Sequence, residues 1–389
     1  MSLILAINSG SSSLKFGLFT EQGGDEQAVV RGNADAIGSK GSKLDFFDRD
    51  QKVLLSEQHP FASQKEALTQ ITKKLSALNF ETPVAIGHRI VHGGPHLVAH
   101  CRINDQVLDT LNRAVHFAPL HIPPAIDLVR HTEGLFPGIP QFACFDTAFH
   151  QTMPEAAYRF AIPEKYYAQG IRRYGFHGLS YASILHALGR GLPSKVVVAH
   201  LGSGASIVAI ANGKSVDTSM GLTPTGGVPM GTRTGDLDPG VSLFLMRNQS
   251  IDADTLEYLL NHESGLVALG GTNDMRTLSA NADNGDAGAQ LAIEIFCRSI
   301  AKTIGSYAAV LGGLDLIVFA GGIGEHSFQV RDNICSRLNF LDAILDSARN
   351  RHAAQRISSN TSRVDIRIIA SEEERQIARH CRSMLTEKS

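Results

Sequence analysis

Three short runs rich in glycine and serine follow apolar segments of the sequence, and each could bind phosphate. They are residues 8–13, 200–206 and 321–325. Glycine reaches backbone angles that let successive N–H groups converge on an anion, and it leaves space for a phosphate oxygen. Lys15, behind the first run, could neutralise phosphate charge. One such run is usually an ordinary hairpin turn, whereas three in one chain indicate an enzyme that handles a nucleotide.

Arginine, histidine and acidic residues recur in separate motifs that suggest anion chemistry. Arg89 carries a planar guanidinium fork suited to a carboxylate or a phosphate, and the alternative is a surface ion pair. His177 stands between glycines, where the backbone can approach a ligand closely. Arg233 lies in a Gly/Thr-rich loop flanked by acids, and such loops are favoured functional positions. His121 and Asp146 lie in Pro-rich or aromatic surroundings.

Two further patterns have ordinary structural explanations. Four histidines spaced by four residues begin at His88, but residues 93–95 are Gly-Gly-Pro and would break any helix that aligned them as metal ligands. Glu373 and Glu374 open a predicted helix, where acids suit the helix dipole.

Common nucleotide and nucleophile motifs are absent. Residues 213–215 resemble the end of a P-loop, but Val208 stands where that loop needs its first glycine. No GxGxxG follows the first strand, which weighs against a dinucleotide site. Ser203 has Leu201 two positions before it instead of glycine, so it is not a nucleophile elbow.

Composition excludes several classes of protein. The 389 residues include 36 Lys+Arg and 38 Asp+Glu, a net charge of −2, without the basic block expected of a nucleic-acid-binding protein. No apolar run reaches the roughly 18 residues of a membrane span, and no secretory signal is evident. Five widely spaced cysteines without a CxxC pair fit reduced thiols in the cytoplasm.

Strands and helices alternate along the chain, which predicts an α/β fold. A strand–turn–strand pattern over residues 3–19 recurs over 196–210 and indicates a duplicated domain. A capping box of Ser63 and Glu66 predicts a helix that buries an apolar stripe ending at Leu78. A long helix should end at Gly312, and Ser371 should cap a final helix that runs to about residue 386. We predict domains at 1–147 plus 373–389, and at 148–372.

The motifs together resemble the acetate kinase family, within the superfamily of duplicated ribonuclease-H-like domains that includes actin and Hsc70. The resemblance covers essentially the whole chain. It rests on the segments 8–15, 87–89, 118–121, 145–150, 172–178, 321–325 and 373–374 and on the Arg233 loop. It implies an actin-like ATPase fold with a cleft between two domains, which would close on MgATP to exclude water. It also implies a cytoplasmic homodimer that makes acetyl phosphate and ADP from acetate and ATP, with Mg²⁺, or alternatively Mn²⁺, as the metal.

The resemblance also implies roles for individual residues. The catalytic set is Asp146, His177, Arg233 and His121. The acetate set is Arg89, which would bind the carboxylate, with Val91, Leu120, Phe176 and Pro224 around the methyl group. The nucleotide set is Lys15, His200, Leu201, Gly202, Ser203, Gly204, Asp274, Met275, Arg276, Gly322, Ile323, Gly324, Glu325 and His326. The metal set is Asn8 and Glu373, with Glu374 as the alternative to Glu373.

The chemistry agrees with these roles. Acetate is ionised at pH 7, so the nucleophile needs no general base, and we expect Asp146 to orient an arginine or the metal's waters. Positive charge must instead let one anion approach another. Val91, where alanine would leave more space, favours acetate over propionate, although one methylene gives only a partial preference.

Three alternatives stay open. Ser203 and His326 stand where the family more often has asparagine, so GTP or pyrophosphate competes with ATP as the expected donor. A propionate or other short-chain carboxylate kinase is the nearest alternative enzyme. A non-catalytic nucleotide-binding switch of the actin and Hsc70 type is the alternative from another class.

Overall fold

The computed structural model describes residues 2–10 and 12–386. The chain divides into two compact units. Unit 1 comprises Met1–Ala148, Gly178–Ser183 and Glu372–Ser389, and unit 2 comprises Phe149–His177 and Ile184–Ser371. Residues Gly178–Ser183, which begin the helix after His177, belong to unit 1, whereas the sequence predicted them in the second domain. The domain bounds 1–147 plus 373–389 and 148–372 stay a prediction.

The strands fall into two sheets. They are β1 (Ile4–Ser9), β2 (Leu14–Gln22), β3 (Asp25–Asp35), β4 (Lys43–Asp48), β5 (Val53–Gln58), β6 (Ala85–Ile90), β7 (Cys101–Arg102), β8 (Gln141–Phe145), β9 (Lys195–Leu201), β10 (Ala205–Ala211), β11 (Lys214–Thr218), β12 (Leu316–Ala320) and β13 (Asp365–Ile368). The sheet of unit 1 has the order β5-β4-β3-β2-β1-β6-β8-β7, and that of unit 2 has the order β11-β10-β9-β12-β13.

The helices connect and cover these strands. They are α1 (Gln64–Ala77), α2 (Asp105–Arg113), α3 (Ile122–Leu135), α4 (Glu155–Tyr158), α5 (Glu164–Tyr167), α6 (Gly178–Leu188), α7 (Pro239–Asn248), α8 (Ala253–His262), α9 (Gly265–Gly270), α10 (Met275–Asp283), α11 (Ala287–Leu311), α12 (Gly321–His326), α13 (Phe328–Cys335), α14 (Ser347–Arg351) and α15 (Glu373–Thr386). No helix in the described ranges is both long and apolar enough to cross a membrane.

The two sheets repeat one strand pattern. In unit 1, β3, β2 and β1 are antiparallel neighbours, and β1, β6 and β8 are parallel neighbours. In unit 2, β11, β10 and β9 are antiparallel, and β9, β12 and β13 are parallel. The two hairpins recognised in the sequence therefore occupy the same place in each sheet.

The core of unit 1 has a helix layer on each face of its sheet. On one face α1 and α3 cover Leu5, Ile7 and Phe16. On the other face α15 brings Ile377 and Cys381 against the sheet. A methyl group at Gly87 of β6 would collide with both side chains, so this glycine allows α15 to approach the strand. In unit 2 the long helix α11 buries one stripe that includes Phe296 and Ile300.

Most predicted elements are confirmed, and their ends show the capping chemistry. Ser63 Oγ accepts a hydrogen bond from Glu66 N before α1, and Gly312 ends α11 with a left-handed φ of 65°. Leu78, predicted to belong to the buried stripe of α1, instead follows the helix and is exposed.

Three local predictions were wrong. Asn8 lies inside β1, paired with Lys15, instead of in the turn. Residues 321–326 form the short helix α12 and not a turn. Ser371 does not cap α15: the helix begins at Glu373, and Ser371 Oγ has no hydrogen-bond partner among the described residues.

Candidate active site

Arg89 and Asp146 form a buried ion pair at the ends of two parallel strands. Arg89 is the penultimate residue of β6, and Asp146 follows β8, its neighbour in the sheet. The Asp146 N–H donates to Ile90 O at 3.1 Å, which fixes the start of the loop. Arg89 Nε lies 2.9 Å from Asp146 Oδ1, and Nη2 lies 2.6 Å from Oδ2. The strand register therefore aligns a planar fork with a carboxylate that is 1% exposed.

The surrounding acids keep Arg89 charged. Burial of the guanidinium disfavours its charge, but the carboxylates of Asp146, Glu373 and Glu374 outweigh this effect and raise its pKa above the ordinary value. Arg89 thus stays positively charged in a partly buried place, although its pair with Asp146 is neutral as a whole. A fixed charge of this kind can bind an anion without a large reorganisation.

Asn8 connects this ion pair to the first turn of α15. Its amide nitrogen donates to Glu373 Oε2 at 2.9 Å and to Glu374 Oε1 at 2.7 Å. Its amide oxygen accepts from Arg89 Nη1 at 3.3 Å. The structure therefore brings five predicted residues of unit 1 into one hydrogen-bonded cluster, in which Asn8 contacts both glutamates.

The donor chemistry of this cluster fits Mg²⁺. Carboxylate and amide oxygens are the hard ligands that Mg²⁺ prefers, and the ion commonly uses one or two carboxylates while waters and substrate phosphates complete its shell. Glu373 and Glu374 provide two adjacent carboxylates, while the Asn8 amide nitrogen donates to both and its oxygen accepts from Arg89. Among the described residues no group of three or more histidine, cysteine or acidic side chains could hold a metal alone.

His177 contacts Ser206 and His200 in unit 2. Its Nδ1 lies 2.9 Å from Ser206 Oγ, and its ring stacks on His200 with centroids 4.3 Å apart. The backbone of His177 has a φ of 59°, an uncommon conformation for a residue with a side chain. Such a conformation persists where surrounding contacts impose it, and functional sites are a frequent location.

Gly204 marks the point where His177 and Arg233 approach each other. A methyl group at Gly204 would lie 3.4 Å from His177 Nε2 and 3.6 Å from Arg233 Nη1. The same Nη1 donates to the carbonyl oxygen of Pro224 at 3.1 Å. The structure therefore gathers two predicted catalytic residues around the second glycine-rich turn.

One further predicted nucleotide segment, residues 274–276, lies near this turn, with Gly231 between them. The turn itself lies between β9 and β10, closed by Gly202 N–H donating to Gly204 O at 2.9 Å. A methyl group at Gly231 would meet both Ser203 O and Asn273, the neighbour of segment 274–276. Asp274 caps α10 and pairs with Arg276, whose side chain is 91% exposed.

The third segment, residues 322–326, follows β12, the parallel neighbour of β9. Glu325 Oε1 accepts from Gly321 N at 2.9 Å and from Ser371 N at 3.3 Å. A side-chain carboxylate therefore already occupies the Gly321 amide, and nucleotide binding by residues 322–326 stays a prediction.

The remaining predicted residues lie in both units. Val91 and His121 of unit 1 are half-buried, and Leu120 is 51% exposed. In unit 2, Phe176 and Pro224 are buried. Lys15 lies on β2 with an exposed side chain, and Met275 is buried in α10.

Comparison with known proteins assigns the family. The sequence model of the Acetokinase family matches residues 3–379. The chain belongs to this family. It is 39% identical to an acetate kinase of Carboxydothermus hydrogenoformans, over 99% of the chain and 100% of that protein. It is 40% identical to an acetate kinase of Nitrobacter hamburgensis, over 100% of the chain and 98% of that protein.

Solved acetokinase-family structures share the fold. A propionate kinase from Francisella tularensis has a TM-score of 0.91 and 39% identity, covering 99% of this chain and 100% of that one. The acetate kinase of Porphyromonas gingivalis has a TM-score of 0.86 and 35% identity, with the same coverage. The predicted α/β fold of the acetokinase family is therefore confirmed.

Sequence reasoning missed Ser206, the hydrogen-bond partner of His177 in this acetokinase. A signal was present, because a tight hairpin between the predicted strands places Ser206 directly across from His200. Sequence reasoning also did not identify a cavity of about 600 Å³ in unit 2, whose lining includes Lys195 and Asp217 and no predicted site residue.

Proposed function

We propose that the protein is an acetate kinase, which reversibly transfers the γ-phosphoryl group of ATP to acetate to give acetyl phosphate and ADP. The observation that carries the proposal is the Arg89–Asp146 fork in a chain of the Acetokinase family. Its curated relatives at about 40% identity are acetate kinases along nearly their full length.

The residues of unit 1 suit the acceptor. Acetate is already an anion, so its binding requires positive charge and not a base. Arg89 provides that charge, and Asp146 orients the guanidinium by occupying its Nε and Nη2 edge. The Nη1 side of Arg89, which also contacts Asn8, would then face the carboxylate of acetate. This assignment makes Asp146 a positioning residue for Arg89.

The residues of unit 2 suit the transferring group. His177 and Arg233 meet at Gly204, where the glycine leaves space for an oxygen of the phosphoryl group. Their donors would stabilise negative charge on the equatorial oxygens of an in-line transition state. Mg²⁺, held by Glu373 or Glu374 beside Asn8, would neutralise charge on the nucleotide phosphates.

A hydroxamate assay for acyl phosphate tests the proposal. Acetate, propionate and butyrate are each combined with ATP, GTP and pyrophosphate, and we expect the highest kcat/KM with acetate and ATP. Equal or better use of propionate would favour the second candidate, which the propionate kinase from Francisella tularensis supports. No acyl phosphate from any pair would favour a non-catalytic nucleotide-binding switch.

We further propose a homodimer in the cytoplasm. The support for a dimer is α7, which has no buried residue although it carries Val241, Leu243, Phe244 and Met246. A helix that is apolar on most of its surface is normally buried against a partner. Free cysteines at all five positions fit a reducing compartment.

Sedimentation velocity of a Phe244→Glu variant tests the dimer. We expect a monomer, because a charge on α7 would have to be desolvated in the interface. Phe340→Glu is the matched control, since Phe340 is 72% exposed on a different element. A Phe244→Glu variant that sediments like the wild-type dimer would exclude α7 from the interface.

A further inference from the structure

The side chain of Arg173 binds three consecutive carbonyl groups in unit 2. Its Nη1 donates to Thr218 O at 2.8 Å, to Ser219 O at 3.0 Å and to Met220 O at 3.3 Å. These carbonyls lie at the end of β11 and in the loop that follows it. Carbonyl oxygens that converge on one point repel each other unless a cation or donor lies between them.

Backbone hydrogen bonds extend this contact along the chain. Tyr174 N–H and Gly175 N–H both donate to Gly221 O, at 3.0 Å and 3.4 Å. Arg173 N–H donates to Tyr158 O at 2.7 Å, which fixes the backbone that carries the guanidinium. The segment 173–175 therefore holds four successive residues, 218–221.

Each of the two joined segments leads to proposed site residues. Gly175 is followed by Phe176 and then His177. Three residues after Gly221 comes Pro224, whose carbonyl accepts from Arg233 Nη1 at 3.1 Å. The contact at Arg173 thus lies where the chain leaves β11 and enters the loop that carries Pro224.

We propose that Arg173 is a positioning residue for the acyl pocket, the proposed acetate site whose wall includes Pro224. By setting the place of Pro224, Arg173 would determine the affinity for acetate and the discrimination against longer carboxylates. This inference rests on the proposed function. Ile207 also holds Ser219 through two hydrogen bonds, so removal of the guanidinium should loosen the pocket wall beyond that residue, from Met220 to Pro224.

The geometry specifies which substitution should preserve the role. All three contacts come from one nitrogen atom of Arg173. The two N–H groups of Nη1 are shared among three carbonyls, and a lysine ammonium places three donors on one nitrogen at the end of a flexible stem. Arg173→Lys should therefore retain most of the effect, whereas Arg173→Met keeps the apolar stem and removes every donor.

The experiment compares steady-state kinetics of the full-length variants. For Arg173→Met we expect the KM for acetate to rise about tenfold, the KM for ATP to stay within about twofold, and the propionate-to-acetate ratio of kcat/KM to rise. For Arg173→Lys we expect the KM for acetate to stay within about threefold of wild type. Arg173→Gln, with one donating amide, replaces the Met variant if that variant does not fold.

Arg172→Met is the matched control, because the described contacts of Arg172 are to Gln151 and to the rings of Tyr158 and Tyr174. We expect its KM for acetate to equal that of wild type. Equal rises in both KM values of Arg173→Met, or a Lys variant as impaired as the Met variant, would overturn the inference. No acyl phosphate from the wild-type enzyme would instead overturn the proposed function and this inference together.

Discussion

Asp146 accepts hydrogen bonds from two nitrogens of Arg89, Nε at 2.9 Å and Nη2 at 2.6 Å, and so fixes the plane of the guanidinium. Replacement of Asp146 by Asn keeps the shape and removes the charge. We expect kcat to fall by about 10²–10³, the size typical for loss of a preorganised electrostatic group. Steady-state rates with acetate and ATP measure this effect.

Added Mg²⁺ distinguishes the two roles considered for Asp146. If the residue orients Arg89, high Mg²⁺ should not restore the rate of Asp146→Asn. A substantial recovery would show that Asp146 acts through the metal. Asp127→Asn, at an exposed carboxylate paired with Lys65, is the control and should retain wild-type rates.

Val91 offers a test of acyl specificity. Val91→Ala should raise kcat/KM for propionate relative to acetate by about tenfold, since a methylene in such a pocket changes binding by roughly 1–3 kcal/mol. Val84→Ala makes the same substitution at a side chain that is 40% exposed, and its ratio should not change. An unaltered ratio in Val91→Ala would remove Val91 from the methyl pocket.

The acids that open α15 can be tested one by one. Glu373→Gln and Glu374→Gln should each raise the Mg²⁺ concentration for half-maximal rate, by about tenfold for the glutamate that contacts the metal. Glu372→Gln is the internal control, because that carboxylate is bound to Arg31 and Arg375. If all three variants require the same extra Mg²⁺, the effect reflects a damaged helix start and not lost ligands.

Buried histidines predict a loss of stability in mild acid. Burial outweighs the hydrogen bond that His88 donates to Gln141 Oε1 and lowers the pKa of His88 from 6.5 to about 4. Between these values the unfolded chain binds the proton and the folded chain does not, so the free energy of unfolding falls as the pH falls. Burial also lowers the pKa of His100 and His150 to about 4 and that of His380 to about 3.

The measurement is denaturant unfolding of wild type and His88→Gln between pH 7 and pH 4.5. The variant should lose less stability across this range, with a slope smaller by up to about 1.4 kcal/mol per pH unit, the value for one proton. His116→Gln, at an exposed histidine, should keep the wild-type slope. Parallel curves for wild type and His88→Gln would mean that His88 takes up its proton in the folded state.

The sequence predicted the elements whose signals are local. The two hairpins, α1, α11 and β12 were found because strand periodicity, helix periodicity and caps depend on neighbours in the chain. The start of α15 was not predicted correctly. The backbone N–H of Ser371 donates to the carboxylate of the distant Glu325, a contact that local sequence does not show. The same carboxylate accepts from Gly321 N at the start of α12, a contact between side chain and backbone that the glycine-rich pattern does not reveal.

The candidate site shows the same limit. The identities of Arg89, Asp146, His177 and Arg233 were available from motifs, and Asp146 was expected to orient an arginine, but the other hydrogen-bond partners were not predicted. Asn8 was expected in a turn. Its hydrogen bonds to Glu373 and Glu374 exist because α15 packs against the first sheet. A hydrogen bond between residues more than 300 positions apart cannot be predicted from the local sequence pattern.

The return of α15 to unit 1 also sets an order of events during synthesis. Residues 372–386 follow all of unit 2 in the chain, yet Ile377 and Cys381 complete the core on one face of the first sheet. A nascent chain can therefore bury the interior of unit 2 while that face of unit 1 is still uncovered on the ribosome. Glu373 and Glu374 arrive with the same helix, so a truncated translation product lacks both carboxylates and the cover of its first sheet.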